Sequence, residues 1–272
     1  MSNWKVGPGG RLYHPTTGAY VGQLDDNGNE QMVVSSAFPS DQGVGNVAGV
    51  VAASPLGDFR PSLLASLVSG ATYGQAGNTV TVIATAHGLP TNRDGYRIFW
   101  PGSAAIAPGW YDGFAYVDAN TFIFQSAESQ TVSAGTAITG ALPYVTSTTL
   151  ASASAPGKLL GKNGRVSAMI TASGDATAGQ KDTRLAINGS GISAAFHLAA
   201  CNSTYSLTVV NANSYNKQVG VSSQDGTGTS TASTVATQDT SVEFTVSVTA
   251  KLQNASQWRA YDHVEIQVVT LP

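Results

Sequence analysis

Apolar and polar residues alternate along several stretches of this chain, and turn-forming residues separate these stretches. A period of two places successive side chains on opposite faces of a strand, whereas a helix repeats its apolar residues every three or four positions. The apolar positions of the clearest runs are Val80, Val82 and Ala84; Phe122 and Phe124; Val166, Ala168 and Ile170; Tyr205, Leu207 and Val209; Val242, Phe244, Val246 and Val248; and Val264, Ile266 and Val268. Ser62–Val68 and Ile192–Ala200 suggest a helical turn or two. The pattern as a whole predicts an all-β protein.

The first 65 residues are rich in glycine and proline and have no helical periodicity. Asn27-Gly28 adopts positive φ at low cost and lies between two short apolar runs, so we predict a hairpin there. The later part of this segment has too little apolar surface to offset its ordering entropy alone. We therefore predict an extended N-terminal arm (residues 1–65) that becomes ordered on another chain; a flexible tail is the alternative. Aromatic side chains supply large contact areas, and the partner-anchoring candidates in the arm are Trp4, Tyr13 and Tyr20.

Three further regions follow the arm. Residues 66–142 contain most of the bulky residues and are predicted to form a small, barrel-like β-module; the candidates for its core are Trp100, Trp110, Tyr111, Phe114, Tyr116, Phe122 and Phe124. Residues 143–157 are dominated by Ser, Thr and Ala, a low-complexity composition typical of a linker. Residues 158–272 show short alternating runs with turn signals between them, which predicts an antiparallel β-sandwich.

Composition limits the classes of partner. Charged residues make up 11% of the chain, against about 25% in an ordinary soluble domain. With 42% hydrophobic residues and a net charge of −3, a folded chain is favoured over a disordered one. Such a small net charge gives no electrostatic basis for binding nucleic acid, and no segment approaches the ~20 apolar residues of a membrane span. Met1–Lys5 lacks the features of a secretory signal, so we expect synthesis in the cytoplasm.

The search for catalytic chemistry nominates no catalytic, cofactor-binding or metal-binding residue. The chain has no Gly-x-Ser-x-Gly motif, and its four histidines do not have metal-ligand spacing. We expect His87, at a strand-to-loop junction, to bind a backbone carbonyl, and His263 to pair with Asp262 at the surface. Cys201, among small apolar residues, is expected to be a buried inert thiol; an interchain disulfide or a reactive nucleophile is the alternative. The acidic residues are too scattered to nominate a glycosidase pair, whose carboxyl groups lie roughly 5 to 9 Å apart.

A receptor-binding surface is a separate hypothesis. Trp258 lies between Gln257 and Arg259 in a polar stretch, so Trp258 and Arg259 are the receptor-contact candidates. The Gly-, Ser- and Thr-rich stretch Ser222–Thr234 is a second candidate surface, since polar loops on a rigid β-scaffold suit sugar recognition.

Two parts of the chain resemble known modules. Ala86-His87-Gly88-Leu89, Trp110-Tyr111 and Asp118-Ala119-Asn120-Thr121-Phe122 resemble a small β-module of bacteriophage tail, fibre and capsid-associated proteins. That module is often described as similar to the first catalytic-cysteine half-domain of ubiquitin-activating enzymes. Gly164-Arg165-Val166, Thr204–Leu207 and Asp239–Phe244 resemble the jelly-roll domain at the C-terminus of many phage tail and capsid-decoration proteins.

The resemblance implies a non-enzymatic virion protein of a tailed bacteriophage, made in the host cytoplasm. It also implies assembly as a homo-oligomer, commonly a trimer, with other virion proteins as partners. We expect a tail or fibre component in preference to a capsid decoration protein, attached by the arm, with the β-domains projecting outward. The alternative is an adhesin that binds a host-surface carbohydrate or another receptor.

Overall fold

A computed structural model describes residues 60–67, 70–140, 146–176, 180–197, 203–224, 229–230, 234–255 and 257–269, and the backbone of five short strands before residue 60. For residues 196–197, 223–224, 229–230 and 234 it describes the backbone alone. The protein is all-β, as predicted: the described residues form 21 strands and no helix. The strands are β1 Lys5–Val6, β2 Arg11–Tyr13, β3 Tyr20–Leu24, β4 Glu30–Met32, β5 Val50–Val51, β6 Ser62–Ala65, β7 Thr72–Ile83, β8 Arg97–Trp100, β9 Gly109–Tyr111, β10 Ala115–Asp118, β11 Thr121–Ala137, β12 Thr148–Ala155, β13 Arg165–Gly174, β14 Lys181–Ile187, β15 Ser190–His197, β16 Ser203–Asn211, β17 Gln218–Gln224, β18 Thr229–Ser230, β19 Thr234–Ala236, β20 Phe244–Leu252 and β21 Trp258–Val269.

The structure describes four short paired strands within the predicted N-terminal arm. Strands β1 to β4 pair in chain order in a four-stranded antiparallel sheet. The predicted hairpin is confirmed, because β3 and β4 pair on either side of residues 25–29. Backbone groups need hydrogen-bond partners, and here each strand finds them in its neighbour along the chain. Of the anchoring candidates, Trp4 lies outside the described residues, and Tyr13 and Tyr20 are register partners whose side chains are not described.

The C-terminal region is a two-sheet sandwich. One sheet has the order β12-β20-β14-β15-β18, and it packs on the β19-β17-β16-β13-β21 part of a larger sheet. Most of the alternating residues predicted to face inward do so: the core includes Val166, Ile170, Leu207, Val246 and Val248, all fully buried, whereas Val242 is exposed. Hairpins β14–β15 and β16–β17 each stay within one sheet.

Three local predictions are corrected by this sandwich. The predicted linker 143–157 contains β12, which pairs with β20 over most of its length. In the described parts of the expected helical turns at 62–68 and 192–200, residues 62–65 form strand β6 and residues 192–197 belong to β15. Strands β12 and β6 pair with β20 and β21, which lie far along the chain, and β15 pairs with its hairpin neighbour β14. Pairing with these strands supplies the backbone hydrogen bonds, and local helical propensity does not show it.

The small module shares a sheet with the sandwich. Strands β10, β11 and β7 form a separate three-stranded sheet, whereas β6, β8 and β9 extend the large sheet beyond β21. Four of the predicted core residues, Trp100, Phe114, Phe122 and Phe124, are fully buried or nearly so, and the other three are partly buried. In β6, Leu63 belongs to the module core and Leu64 to the sandwich core. The predicted boundary at residue 66 therefore falls after a strand that serves both cores.

Candidate functional site

A polar cleft of about 510 Å³ lies at one end of the sandwich. Three connections meet there: the one between β12 and β13, the one between β16 and β17, and the one between β19 and β20. The lining residues are Lys162, Asn213, Ser214, Tyr215, Asn216, Thr237, Asp239 and Ser241. All of them carry a group that can donate or accept a hydrogen bond.

The backbone of Tyr215 joins the connections below the cleft. Its carbonyl accepts three hydrogen bonds: from the Thr240 N–H at 2.8 Å, from the Thr240 hydroxyl at 2.9 Å and from Gln218 Nε2 at 3.1 Å. Lys158 N–H in turn donates to the Thr240 carbonyl at 2.8 Å, and Ser214 N–H donates to the Lys162 carbonyl at 3.1 Å. The three connections are therefore held together by hydrogen bonds that do not use the side chains lining the cleft.

Three buried polar side chains support this arrangement. Asn211, Gln218 and Thr240 are each at most 2% exposed. Gln218 Nε2 donates to Asn211 Oδ1 at 2.9 Å, while Asn211 Nδ2 donates to Thr240 Oγ1 at 3.0 Å and to the Gly161 carbonyl at 2.7 Å. A buried polar network of this kind fixes a unique conformation, since each group left unpaired would cost about 1–3 kcal/mol.

The charged groups at the cleft are one cation and one anion, Lys162 and Asp239, both exposed. Asp239 Oδ1 accepts hydrogen bonds from the Ser241 hydroxyl at 2.6 Å and from the Ser241 N–H at 2.8 Å. These two bonds stabilise the carboxylate and lower the pKa of Asp239. The turn between β16 and β17 also requires a left-handed backbone at one position. Asn213 has a φ of 55°, which Asn tolerates better than most residues.

The junction between module and sandwich is a second structured region. A bulge in β12 leaves Leu150 without a register partner in β20, and its carbonyl accepts from Arg97 Nη2 at 2.7 Å. Trp110 Nε1 donates to the neighbouring Thr149 carbonyl at 2.9 Å. The Arg97 guanidinium lies 4.7 Å from the centre of the Trp110 ring, a favourable cation–π distance. Two side chains of the module thus bind two consecutive carbonyls of the sandwich.

A second set of contacts joins the module loop before β8 to the sandwich. Arg93 Nη2 donates to Ser173 Oγ at 3.0 Å, and Arg93 Nε lies 3.4 Å from Asp262 Oδ1. The Tyr96 hydroxyl donates to the same oxygen of Asp262. Burial and this hydrogen bond to Asp262 raise the pKa of Tyr96 to about 12.

The predicted receptor contacts lie far from the polar cleft. Strand β13 runs from Arg165, next to the cleft, to Gly174, the register partner of Arg259; nine steps of about 3.3 Å separate the two ends by about 30 Å. Arg259 is fully buried and lies 5.7 Å from the centre of the Tyr205 ring. It therefore cannot contact a receptor in this fold, because its neighbours on β13 and β6 and the sandwich core exclude it from solvent.

Trp258 is partly buried against the module core, and its backbone N–H donates to the carboxylate of Asp175. The other oxygen of Asp175 lies 3.0 Å from the fully buried Lys181 ammonium. Trp258 therefore contributes to packing at this end of the sandwich, and its role in receptor contact stays a prediction. Much of Ser222–Thr234 lies outside the described residues, as does Cys201.

The prediction for His87 is confirmed, and the prediction for His263 is wrong. His87 is buried and binds the Asp118 carbonyl through Nε2 at 2.8 Å, as predicted. His263 lies 3.6 Å from Glu265, not beside Asp262, because adjacent residues of β21 point to opposite faces.

Among the described residues, no group of three or more His, Cys, Asp and Glu side chains could share a metal ion. The described part of the chain also has no helix that could cross a membrane.

Sequence reasoning did not find the polar cleft. Lys162, Tyr215 and Asp239 lie in three separate connections, and each stretch alone reads as an ordinary turn. The single local signal is the turn-rich run Asn211–Asn216, which does not reveal its neighbours.

Comparisons with known proteins assign no family. No family model matches the chain, and no curated protein matches it. A solved GH43 glycoside hydrolase, described as engineered to display both endo-xylanase and exo-arabinofuranosidase activity, aligns with 90% of this chain and 69% of its own chain, at 10% identity and a TM-score of 0.23. A score this low carries no argument about the fold or function of this protein.

Proposed function

We propose that this chain is a structural, non-enzymatic component of a bacteriophage particle, of the tail or fibre type or associated with the capsid. The N-terminal region attaches it to a neighbouring virion protein, and the module and sandwich project outward. The chain assembles with copies of itself, as a trimer, in the finished virion. The residues that resemble phage β-modules are the source of this proposal.

The observation that best supports it is the rigid junction of module and sandwich. One hydrogen-bonded sheet continues from β19 to β9, and β21 pairs with β13 on one side and β6 on the other. Arg97, Trp110, Arg93 and Tyr96 add side-chain bonds across the junction. A projecting component of a particle must hold its outer parts at a defined position, and a sheet that continues from the sandwich into the module does so.

Deletion of residues 1–40 tests the attachment role. This deletion removes β1 to β4 but keeps β5, whose Val50 and Val51 pair with Val269 and Val268 of β21. We expect the shortened chain to be folded, with the circular dichroism of an all-β protein and a cooperative thermal transition, and to be absent from particles. The full chain should be present in phage particles purified on a density gradient, as measured by mass spectrometry.

A shortened chain that joins particles at the level of the full chain would contradict the attachment role. Absence of the full chain from purified particles would contradict the structural role as a whole. Size-exclusion chromatography with light scattering then tests the trimer, since a monomeric full chain at micromolar concentration is not expected.

Recognition of the host surface is a second candidate function. The observation that favours it is the polar cleft, which is open to solvent and built on connections that the sandwich holds in place. Binding residues are commonly found on loops that a rigid scaffold positions. The two functions are compatible, because the region proposed for attachment and the polar cleft are different parts of the chain.

A further inference from the structure

The chemistry of the polar cleft indicates the class of ligand. We propose that the cleft, centred on Tyr215, Lys162 and Asp239, binds an uncharged oligosaccharide. This inference rests on the second candidate function, host-surface recognition, and it specifies both the ligand class and the place of binding.

The hydrogen-bonding groups of the cleft match a polyhydroxylated ligand. A sugar hydroxyl both donates and accepts, and it therefore needs a surface that offers both kinds of group. Asn213 and Asn216 each carry an amide with two donors and one acceptor, Lys162 adds donors and Asp239 adds acceptors. Ser214 Oγ donates to Asn216 Oδ1 at 2.6 Å, which fixes the orientation of the Asn216 amide.

Tyr215 provides the aromatic surface. Tyr215 lines the cleft and is partly exposed, while its carbonyl accepts the three hydrogen bonds that hold the connections together. An aromatic ring packs against the C–H face of a sugar and also offers a hydroxyl at its edge. The backbone and the side chain of Tyr215 therefore have separable roles.

The charge balance disfavours an anionic ligand. Lys162 is the cation that lines the cleft, and the exposed Asp239 carboxylate balances its charge. The Ser241 hydroxyl and N–H both donate to this carboxylate, so it keeps its negative charge. A phosphate, sulfate or sialic acid group would meet repulsion from Asp239, and among the described lining residues Lys162 is the one cation that offsets it.

The cleft is also large enough for a small oligosaccharide, and its backbone is held in place before the ligand binds. Its volume of about 510 Å³ lies within the range of roughly 300–1,000 Å³ that is usual for small-molecule sites. The buried Asn211, Gln218 and Thr240 hold its backbone before any ligand arrives. Less conformational entropy is then lost on binding.

The test uses the full chain on a printed array of neutral, sialylated and sulfated oligosaccharides, followed by titration with the best neutral oligosaccharide. Three variants are compared with the native chain: Tyr215→Ala, Lys162→Gln and, as a matched control, Lys217→Gln. Tyr215→Ala removes the ring and keeps the carbonyl, so the connections stay bonded. Lys217 is exposed on the same turn and does not line the cleft.

We expect binding to neutral oligosaccharides, a loss of affinity of about tenfold or more in Tyr215→Ala and a loss of about threefold in Lys162→Gln. Lys217→Gln should keep the native affinity, and all three variants should keep the native melting temperature within about 2 °C.

Three results would overturn the inference: no binding to any neutral oligosaccharide, binding restricted to sialylated or sulfated ones, or native affinity in a folded Tyr215→Ala. If Tyr215→Ala does not fold, native affinity in Lys162→Gln decides against it. None of these results affects the particle-attachment test, which uses the chain without residues 1–40. Failure of one proposal is therefore distinguishable from failure of the other.

Discussion

His87 forms hydrogen bonds with two backbone groups of the module at once. Leu89 N–H donates to Nδ1 at 3.0 Å, so Nδ1 must be the acceptor and the ring proton must be on Nε2. Nε2 then donates to the Asp118 carbonyl at 2.8 Å. The ring also makes edge contacts with Tyr116 and Phe122. This histidine is explained by packing and by hydrogen-bond satisfaction at a turn, as its position in the sequence predicted.

Tyr96 gives the junction a sensitivity to alkaline pH. Its pKa is raised from 10.0 to about 12, so the folded state favours the neutral phenol more strongly than the unfolded state does. The resulting contribution to the free energy of unfolding is complete below pH 10 and is lost as the pH rises from 10 through 12. We expect Tyr96→Phe to be less stable than the native chain at pH 8, and the two urea unfolding curves to converge towards pH 12. A difference that stays constant from pH 8 to pH 12 would contradict this origin.

At the scale of single elements, strand β20 shows where the alternation begins. The sequence pattern placed Val242 on the same inner face as Val246, but β20 begins at Phe244. Val246 is fully buried, whereas Val242 is 57% exposed. The turn at Asp239–Ser241 changes the direction of the chain before the strand, so the period of two does not extend back to Val242.

Two matched substitutions test this difference. Val246→Asp places an unpaired charge in the sandwich core and should lower the free energy of unfolding by about 3 kcal/mol or more. Val242→Asp makes the same chemical change at an exposed position and should alter it by at most about 0.5 kcal/mol. Urea denaturation followed by tryptophan fluorescence measures both. Equal effects in the two variants would mean that the faces of this segment are misassigned.

Strand β12 illustrates an element that the pattern did not reveal. Its Ser-, Thr- and Ala-rich composition is typical of a linker, yet Thr148, Leu150, Ala151 and Ala155 are buried. Small side chains can line a strand when a neighbouring strand supplies the bulk of the core. Here β20 supplies the hydrogen bonds, and Phe244 and Val248 supply apolar surface. Composition alone could not reveal this, because the partner lies about a hundred residues later in the chain.

For the molecule as a whole, the shared sheet predicts cooperative unfolding. Strand β6 contributes Leu63 to one core and Leu64 to the other, so neither core can open without disturbing the other. In the variant that lacks residues 1–40, we expect one calorimetric transition whose van't Hoff and calorimetric enthalpies agree. Two resolved transitions, one for the module and one for the sandwich, would contradict a shared cooperative unit.

Arg97→Ala tests the junction within that unit. The substitution removes the donor to the Leu150 carbonyl and the cation over the Trp110 ring. We expect a lower melting temperature in a single transition, because the loss is about 1–3 kcal/mol while the sheet pairing remains. Arg165→Ala, an exposed arginine on β13, is the matched control and should have little effect.

Local pattern was sufficient for the all-β class, the inward-facing residues of most strands and the role of His87, because alternation and turn chemistry act between residues that are close along the chain. Contacts across the fold were needed for the rest. The strand in the apparent linker, the burial of Arg259, the sheet shared by module and sandwich, and the meeting of Lys162, Tyr215 and Asp239 all depend on segments far apart in sequence. Pairing and packing between such segments are properties of the assembled sheets, and no single stretch of sequence contains them.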